Sequence, residues 1–367
     1  MRILNGLLFR ENSFEKGDLC TDAERFAPQS DTAETLDAAG CLVIPGLVDV
    51  HTHGCAGFDF ADAGTEALRQ MDQWYLRHGV TSVAATVITS PQGQTLQALR
   101  QIADYIAQNP GGAICASRAE GPFLSREYAG AHDVRLLRQP DLAYAEEMLA
   151  ASNGTLRILD LDPCGTGAEA LIRALAPRLH ISLAHTPCTE AEALRAWDAG
   201  ARGITHLFNA MAPIHHRAPA MLGAFAEGGF IAELICDGVH VHPSLLKLLF
   251  RYDAERICVI SDSVAGCGTE TGEFLLGNSP VHMKNGRAYD AQGHLAGSVC
   301  PVSEGLKNLV RAGVPAEAAI ASATRIPAAL LKRKDIGTLR SGAFADAAVL
   351  SPQLEVLHVI KHGKLLF

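Results

Sequence analysis

The stretch Leu47-Val48-Asp49-Val50-His51-Thr52-His53-Gly54 is an apolar run that ends in two histidines. Residues two apart on a strand project to the same side, so His51 and His53 aim two imidazoles at one point. Groups of the same chemical kind close other apolar runs further on: Glu120, His185, His206 and Asp262. Imidazole and carboxylate are suitable ligands for zinc and related divalent ions. Such an ion can lower the pKa of a bound water to about 7. A nearby aspartate can take a proton from water and return it to a leaving group. Taken singly, a histidine closing a strand is often a hydrogen-bonded rim residue, and an aspartate there is often a helix cap. Convergence of the runs is what makes them a metal site.

The elements that must bring these residues together are eight predicted apolar strands. They begin at Leu47, Val80, Ala113, Leu156, His180, Gly203, Ile231 and Arg256. Helical periodicity separates most of them, as from Thr95 to Ala107 and from near Thr189 onward. Near-continuous apolar strands joined by helices indicate a parallel sheet buried on both faces. Eight such units predict an α/β fold, a (β/α)₈ TIM barrel, whose strand ends converge on one mouth. The two chain ends have a different texture. Ile3 to Phe9 reads as a strand with a turn, Cys41 to Ile44 as a strand stopped by Pro45-Gly46, and Ala347 to Leu350 and Leu357 to Ile360 as short strands. They predict a small β-sandwich module built from residues 1–46 and 335–367, flanking a barrel over 47–334. Gly266, Gly268 and Gly272 read as a mobile loop after the last strand.

The chain has 367 residues, 48% of them hydrophobic and 19% charged, enough for a large core with an accessory module. A net charge of −9 argues against nucleic acid or an anionic membrane as partner. No run approaches the roughly 18–20 apolar residues of a membrane span. The N-terminus turns polar too soon for a secretory signal, and the ten scattered cysteines form no Cys-x-x-Cys pair. These features predict a cytoplasmic protein with reduced thiols.

The pattern resembles the amidohydrolase superfamily: His-x-His on strand 1, His on strands 5 and 6, Asp on strand 8. The end of strand 4, Leu159-Asp160-Leu161-Asp162-Pro163, lacks the lysine that many of those enzymes use between two metals, and Glu120 in Glu120-Gly121-Pro122-Phe123 is the natural substitute. That arrangement is similar to the N-acetylglucosamine-6-phosphate deacetylases. Gly130-Ala131-His132, His206 through Met211, His215 through Pro219, Asp237 through His242 and Leu295-Ala296-Gly297-Ser298 agree with it. The resemblance implies that Glu120, His185 and His206 hold the principal metal and that His51 and His53 form a second position. It also implies one or two divalent ions, most often zinc. Asp262 would be general base and then acid, and His132 would bond the acetyl carbonyl. Arg217, His240 and the backbone at Asn209 and Ala210 would bind the sugar phosphate, and the assembly would be a homodimer.

Three departures bear on the substrate. Ala119 precedes the Glu120 motif and Ala129 stands where a basic residue is common before Gly-x-His; Ser261 through Gly268, after strand 8, is less usual in its details; and Ala218 stands where an acidic residue is common. None removes a ligand or the base. The sequence-based expectation is therefore metal-dependent hydrolysis of the acetamide of N-acetylglucosamine 6-phosphate. The galactosamine epimer, another N-acyl substrate, and a catalytically silent sugar-phosphate binder are the alternatives. Asp262 argues against the last, because a binder has little use for that carboxylate.

Overall fold

The computed structural model describes residues 1–270 and 272–367. Its central sheet has eight parallel strands arranged in chain order. They are Leu47–Thr52, Val80–Ile88, Ile114–Glu120, Leu156–Leu161, His180–Leu183, Gly203–Ile204, Ile231–Ile235 and Ile257–Ile260. The first, second, fifth, sixth and eighth are buried at every residue, which is why they read as unbroken apolar runs. Past their last residues the eighth strand meets the first. The Asp262 N–H donates to the His51 carbonyl at 2.9 Å, and the His53 N–H to the Ser263 carbonyl at 2.7 Å. The seam that closes the barrel thus runs through the candidate ligands.

Helices follow the strands and cover the barrel, beginning with Thr65–Arg77 and Gln92–Gln108. The helix expected near Thr189 spans Glu190–Ala199. The Thr189 side chain accepts from the Glu192 N–H while Glu192 caps the Thr189 N–H in return. The core between helices and strands is aliphatic, with Leu99, Ile102, Leu159 and Ile172 buried.

Three features differ from the sequence reading. Asn5-Gly6 is not a turn: Arg2–Arg10 is one strand with a register shift between Ile3 and Gly6, and Asn5 takes a positive φ of 63°. The chain reverses instead at Glu11–Asn12. That strand joins an eight-stranded sheet from both chain ends, in which Leu42–Pro45 pairs antiparallel with Ala347–Leu350. Ile3, Leu8, Phe26, Val43, Val349 and Ile360 share its apolar core.

The second difference follows the eighth strand. Glu273–Leu276, Ser279–Lys284 and Arg287–Asp290 form a three-stranded antiparallel sheet where no strand was expected. The third is the glycine segment before it, which is packed. A Cβ on buried Gly266 would come within 2.6 Å of the Met283 sulfur, and one on Gly268 would strike the Trp74 indole. Backbone must lie there for the small sheet to reach the barrel mouth.

Candidate metal centre and its cavity

His185, His206 and Asp262 each stand two residues past a strand end, at Leu183, Ile204 and Ile260. All three have positive φ, 47°, 33° and 48°. L-residues seldom adopt that conformation, and it recurs where a fold over-determines a functional side chain. Here it turns each side chain off the strand and over the mouth of the barrel.

Glu120 is the hub. Its Oε1 lies 3.1 Å from His206 Nε2, 3.2 Å from His185 Nε2 and 3.4 Å from His51 Nε2. Its Oε2 lies 3.2 Å from His53 Nε2 and 3.3 Å from His132 Nε2. Asp262 Oδ1 is 3.3 Å from His53 Nε2 and 3.5 Å from His51 Nε2. Two trios therefore share Glu120: His51, His53 and Glu120, and Glu120, His185 and His206, each with ligand atoms within 4.8 Å of one another.

The chemistry of the donors fits a divalent cation. The Tyr128 carbonyl, 2.8 Å from His185 Nδ1, can only accept, so Nδ1 carries the proton and Nε2 a lone pair. His51 Nδ1 faces Glu233 Oε2 at 3.4 Å, which likewise leaves Nε2 as the donor atom. His51 Nε2 is buried and has no hydrogen-bond partner among the described residues. Lone pairs gathered around an ionised carboxylate repel one another unless positive charge lies among them. The titration of the cluster reports the same demand. Burial and the Arg118 charge oppose protonation of His51, but Glu120 and Asp262 outweigh them and raise it to about 9. Burial also opposes protonation of His53, yet bonds to Asp262 and Glu120 raise it to about 10. Burial works against ionised Glu120, and the surrounding imidazoles hold it well below the carboxylate range regardless.

Above this floor opens a cavity of about 330 Å³, lined by His53, Glu120, His132, His185, His206 and Asp262, with Asn209, Ala210, His240 and Gly297 around it. Gly130 lets the loop to His132 pass close by, since a Cβ there would sit 3.2 Å from the His185 ring. His132 is lowered to about 4, chiefly by burial and then by the neighbouring His185, so it is neutral at pH 7. Asn209 lines the cavity, but its Nδ2, at 3.1 Å, and its backbone N–H, at 2.9 Å, both donate to the His206 carbonyl. His240 is oriented by Asp237, whose Oδ2 lies 2.7 Å from Nδ1. Arg217 is not among the lining residues. It is exposed, with Nη1 2.6 Å from His216 Nε2.

Several contributors were missed by the sequence reading. Leu276 and His294 reach the cavity from the unexpected sheet and the segment after it, beside the Leu295-Ala296-Gly297 motif. Beneath the candidate ligands the barrel interior holds an ionic cluster beside aliphatic side chains such as Ile158 and Ile260. Arg118, Asp160 and Glu233 are all 0% exposed. The signal for them was available: a charged residue inside an apolar strand, two positions before a strand-end ligand in the case of Arg118 and Glu120.

Comparison with known proteins places this geometry. The amidohydrolase family matches residues 42–366. The chain is 34% identical to the N-acetylgalactosamine-6-phosphate deacetylase of Escherichia coli O157:H7, over 88% of this chain and 87% of that one. It is also 34% identical to the N-acetylglucosamine-6-phosphate deacetylase of Bos taurus, over 100% and 94%. Among solved structures it resembles an aspartate-to-alanine variant of the Mycobacterium smegmatis N-acetyl-D-glucosamine-6-phosphate deacetylase in complex with N-acetyl-D-glucosamine-6-phosphate. That match has a TM-score of 0.92 at 29% identity and covers 100% of this chain and 98% of the other. Family and donor set together imply a divalent metal. The chain belongs to the amidohydrolase family, within the group that contains the N-acetylglucosamine-6-phosphate deacetylases.

Proposed function

We propose that this protein hydrolyses the acetamide of N-acetylglucosamine 6-phosphate to glucosamine 6-phosphate and acetate. The observation that carries the proposal is Asp262 set against two histidine–glutamate trios at the floor of a cavity of about 330 Å³. A space of that size suits a monosaccharide phosphate. The names of the relatives support the substrate class.

Glu120, His185 and His206 would hold a divalent ion, which would supply Lewis acidity towards water and an amide carbonyl. The protein supplies the rest. Burial works against ionised Asp262, but in the metal-free protein the charge of His51 and the bond from His53 hold it at about 2, and a bound cation would favour the carboxylate in the same sense. It is therefore a carboxylate at neutral pH, able to accept a proton from water. It returns that proton to the amine nitrogen, which cannot leave as an anion. His132, held neutral, donates one N–H to the carbonyl oxygen as negative charge grows there, a contribution worth about 3–4 kcal/mol per donor. His240, the backbone of Asn209 and Ala210, and Arg217 take the sugar phosphate, with Arg217 closing on it from its exposed loop.

Zinc as the metal, a homodimeric assembly and a cytoplasmic setting belong to the same proposal. The nitrogen and oxygen donor set supports zinc, and ten free cysteines support a reducing compartment. The galactosamine epimer is the second reading, favoured by the 34% identity to the Escherichia coli O157:H7 enzyme. Acetate release measured on the two epimers side by side decides between them, and no release from either refutes the proposal.

A further inference from the structure

Glu233 and Arg118 lie inside the barrel directly below the ligands. Arg118 and Glu120 share one strand at i and i+2, so both side chains enter the interior, one layer apart. Every nitrogen of the Arg118 guanidinium is engaged. Nε donates to Asp160 Oδ2 at 2.8 Å and Nη2 to Asp160 Oδ1 at 2.7 Å. Nη1 donates to Glu233 Oε1 at 2.8 Å and Nη2 to Glu233 Oε2 at 3.0 Å. Nη1 also meets the Val50 carbonyl at 3.0 Å, and Nη2 meets Thr205 Oγ1 at 3.0 Å. The planar fork thus grips two carboxylates at once, a geometry a lysine cannot reproduce. Glu233 Oε2 also faces His51 Nδ1 at 3.4 Å.

We propose that Arg118 and Glu233 are positioning residues for His51. Arg118 fixes the Glu233 carboxylate, Glu233 accepts the His51 Nδ1–H, and His51 is thereby committed to bind metal through Nε2. The inference rests on the reading that His51, His53 and Glu120 form a second metal position. Its specific content is selectivity between the two positions. His185 takes its orientation from the Tyr128 carbonyl, on a loop outside this network. Disturbing Arg118 or Glu233 therefore loosens the metal at the His51 position and spares the one at His185 and His206. Partners one shell out from a metal ligand commonly affect metal affinity by about 10–100-fold.

The test compares zinc stoichiometry and affinity, by elemental analysis after dialysis and by chelator competition. It uses the wild-type chain and its Arg118→Met, Arg118→Lys, Glu233→Gln and His51→Asn variants. Two equivalents are expected in the wild type. Arg118→Met and Glu233→Gln are expected to weaken the second at least tenfold and leave the first within about threefold, with Arg118→Lys in between. Glu233→Gln preserves shape and carries the test if Arg118→Met does not fold. Two wild-type equivalents retained at unchanged affinity in both variants overturn the inference alone. Parallel loss of both equivalents also overturns it, because the network would then be a general scaffold. A wild-type chain with one equivalent that is indifferent to His51→Asn overturns the two-position reading and the inference with it.

Discussion

The Nε2 atoms of His185 and His206 face each other across 3.2 Å. His185 has already donated its Nδ1–H to a carbonyl, so its Nε2 offers a lone pair. Glu120 Oε1 completes a triangle with sides of 3.1 and 3.2 Å to the two nitrogens. This is the geometry of three donors around one cation. His185→Asn or His206→Asn is expected to lower bound metal below half an equivalent at that position and to abolish turnover. Full metal content in either variant, by elemental analysis, would remove the residue from the ligand set.

In the proposed mechanism Asp262 contributes through its proton traffic. Asp262→Asn keeps the size and removes the basicity. It is expected to lower kcat by about 10²–10⁴-fold while metal content stays near wild type. Turnover close to wild type would mean that another group takes the proton from water.

His132 lies beside Glu120 yet is held neutral, which suits a hydrogen-bond donor to a developing oxyanion. His132→Ala is expected to lower kcat about 10²–10³-fold with little change in KM. An effect on KM alone would make it a ground-state contact, and a loss of metal would make it a ligand.

Arg217 stands on an exposed loop and is not among the residues lining the cavity, so the proposed phosphate contact requires the loop to be drawn in. Arg217→Ala is expected to raise KM for the phosphorylated sugar about tenfold or more and to leave the unphosphorylated sugar unaffected. Equal effects on both sugars would assign Arg217 to the scaffold.

His180, at the start of the fifth strand, is buried, and its Nε2 has no partner among the described residues. Burial lowers its pKa, nearby Glu233 works the other way, and Arg118, Lys332 and Arg202 add to the lowering, giving about 4 against an ordinary 6.5. The unfolded chain therefore takes up this proton first as the pH falls. Stability is lost between about 6.5 and 4 and levels off below. At about 1.4 kcal/mol per unit the shift corresponds to about 3 kcal/mol. Urea unfolding of the metal-free protein at pH 7 and pH 4.5 is expected to show His180→Gln losing less stability than wild type over that interval. Equal losses would contradict the assignment.

The candidate site was legible because the fold leaves these side chains no other place. His51, Glu120, His185, His206 and Asp262 end apolar runs, and in a parallel barrel such ends meet. Arg118, Asp160 and Glu233 escaped because a strand buried on both faces reads as apolar, and a charged residue within it looks like an exception until its partners on other strands are known. The sheet over residues 273–290 escaped for the opposite reason. Its strands are short and half-exposed, and the glycines before it signal a turn as readily as a close approach. The position of Arg217 depends on the path of a loop, which local spacing does not encode.

The proposed reaction is tested most directly by acetate release from N-acetylated glucosamine and galactosamine, each with and without the 6-phosphate, assayed with added zinc and after chelation. It predicts rapid release from a 6-phosphorylated sugar, loss of that release on chelation, recovery on returning zinc, and little turnover of the unphosphorylated forms. Release that survives complete metal removal, or none from any of the four sugars in a metal-loaded protein, would contradict it.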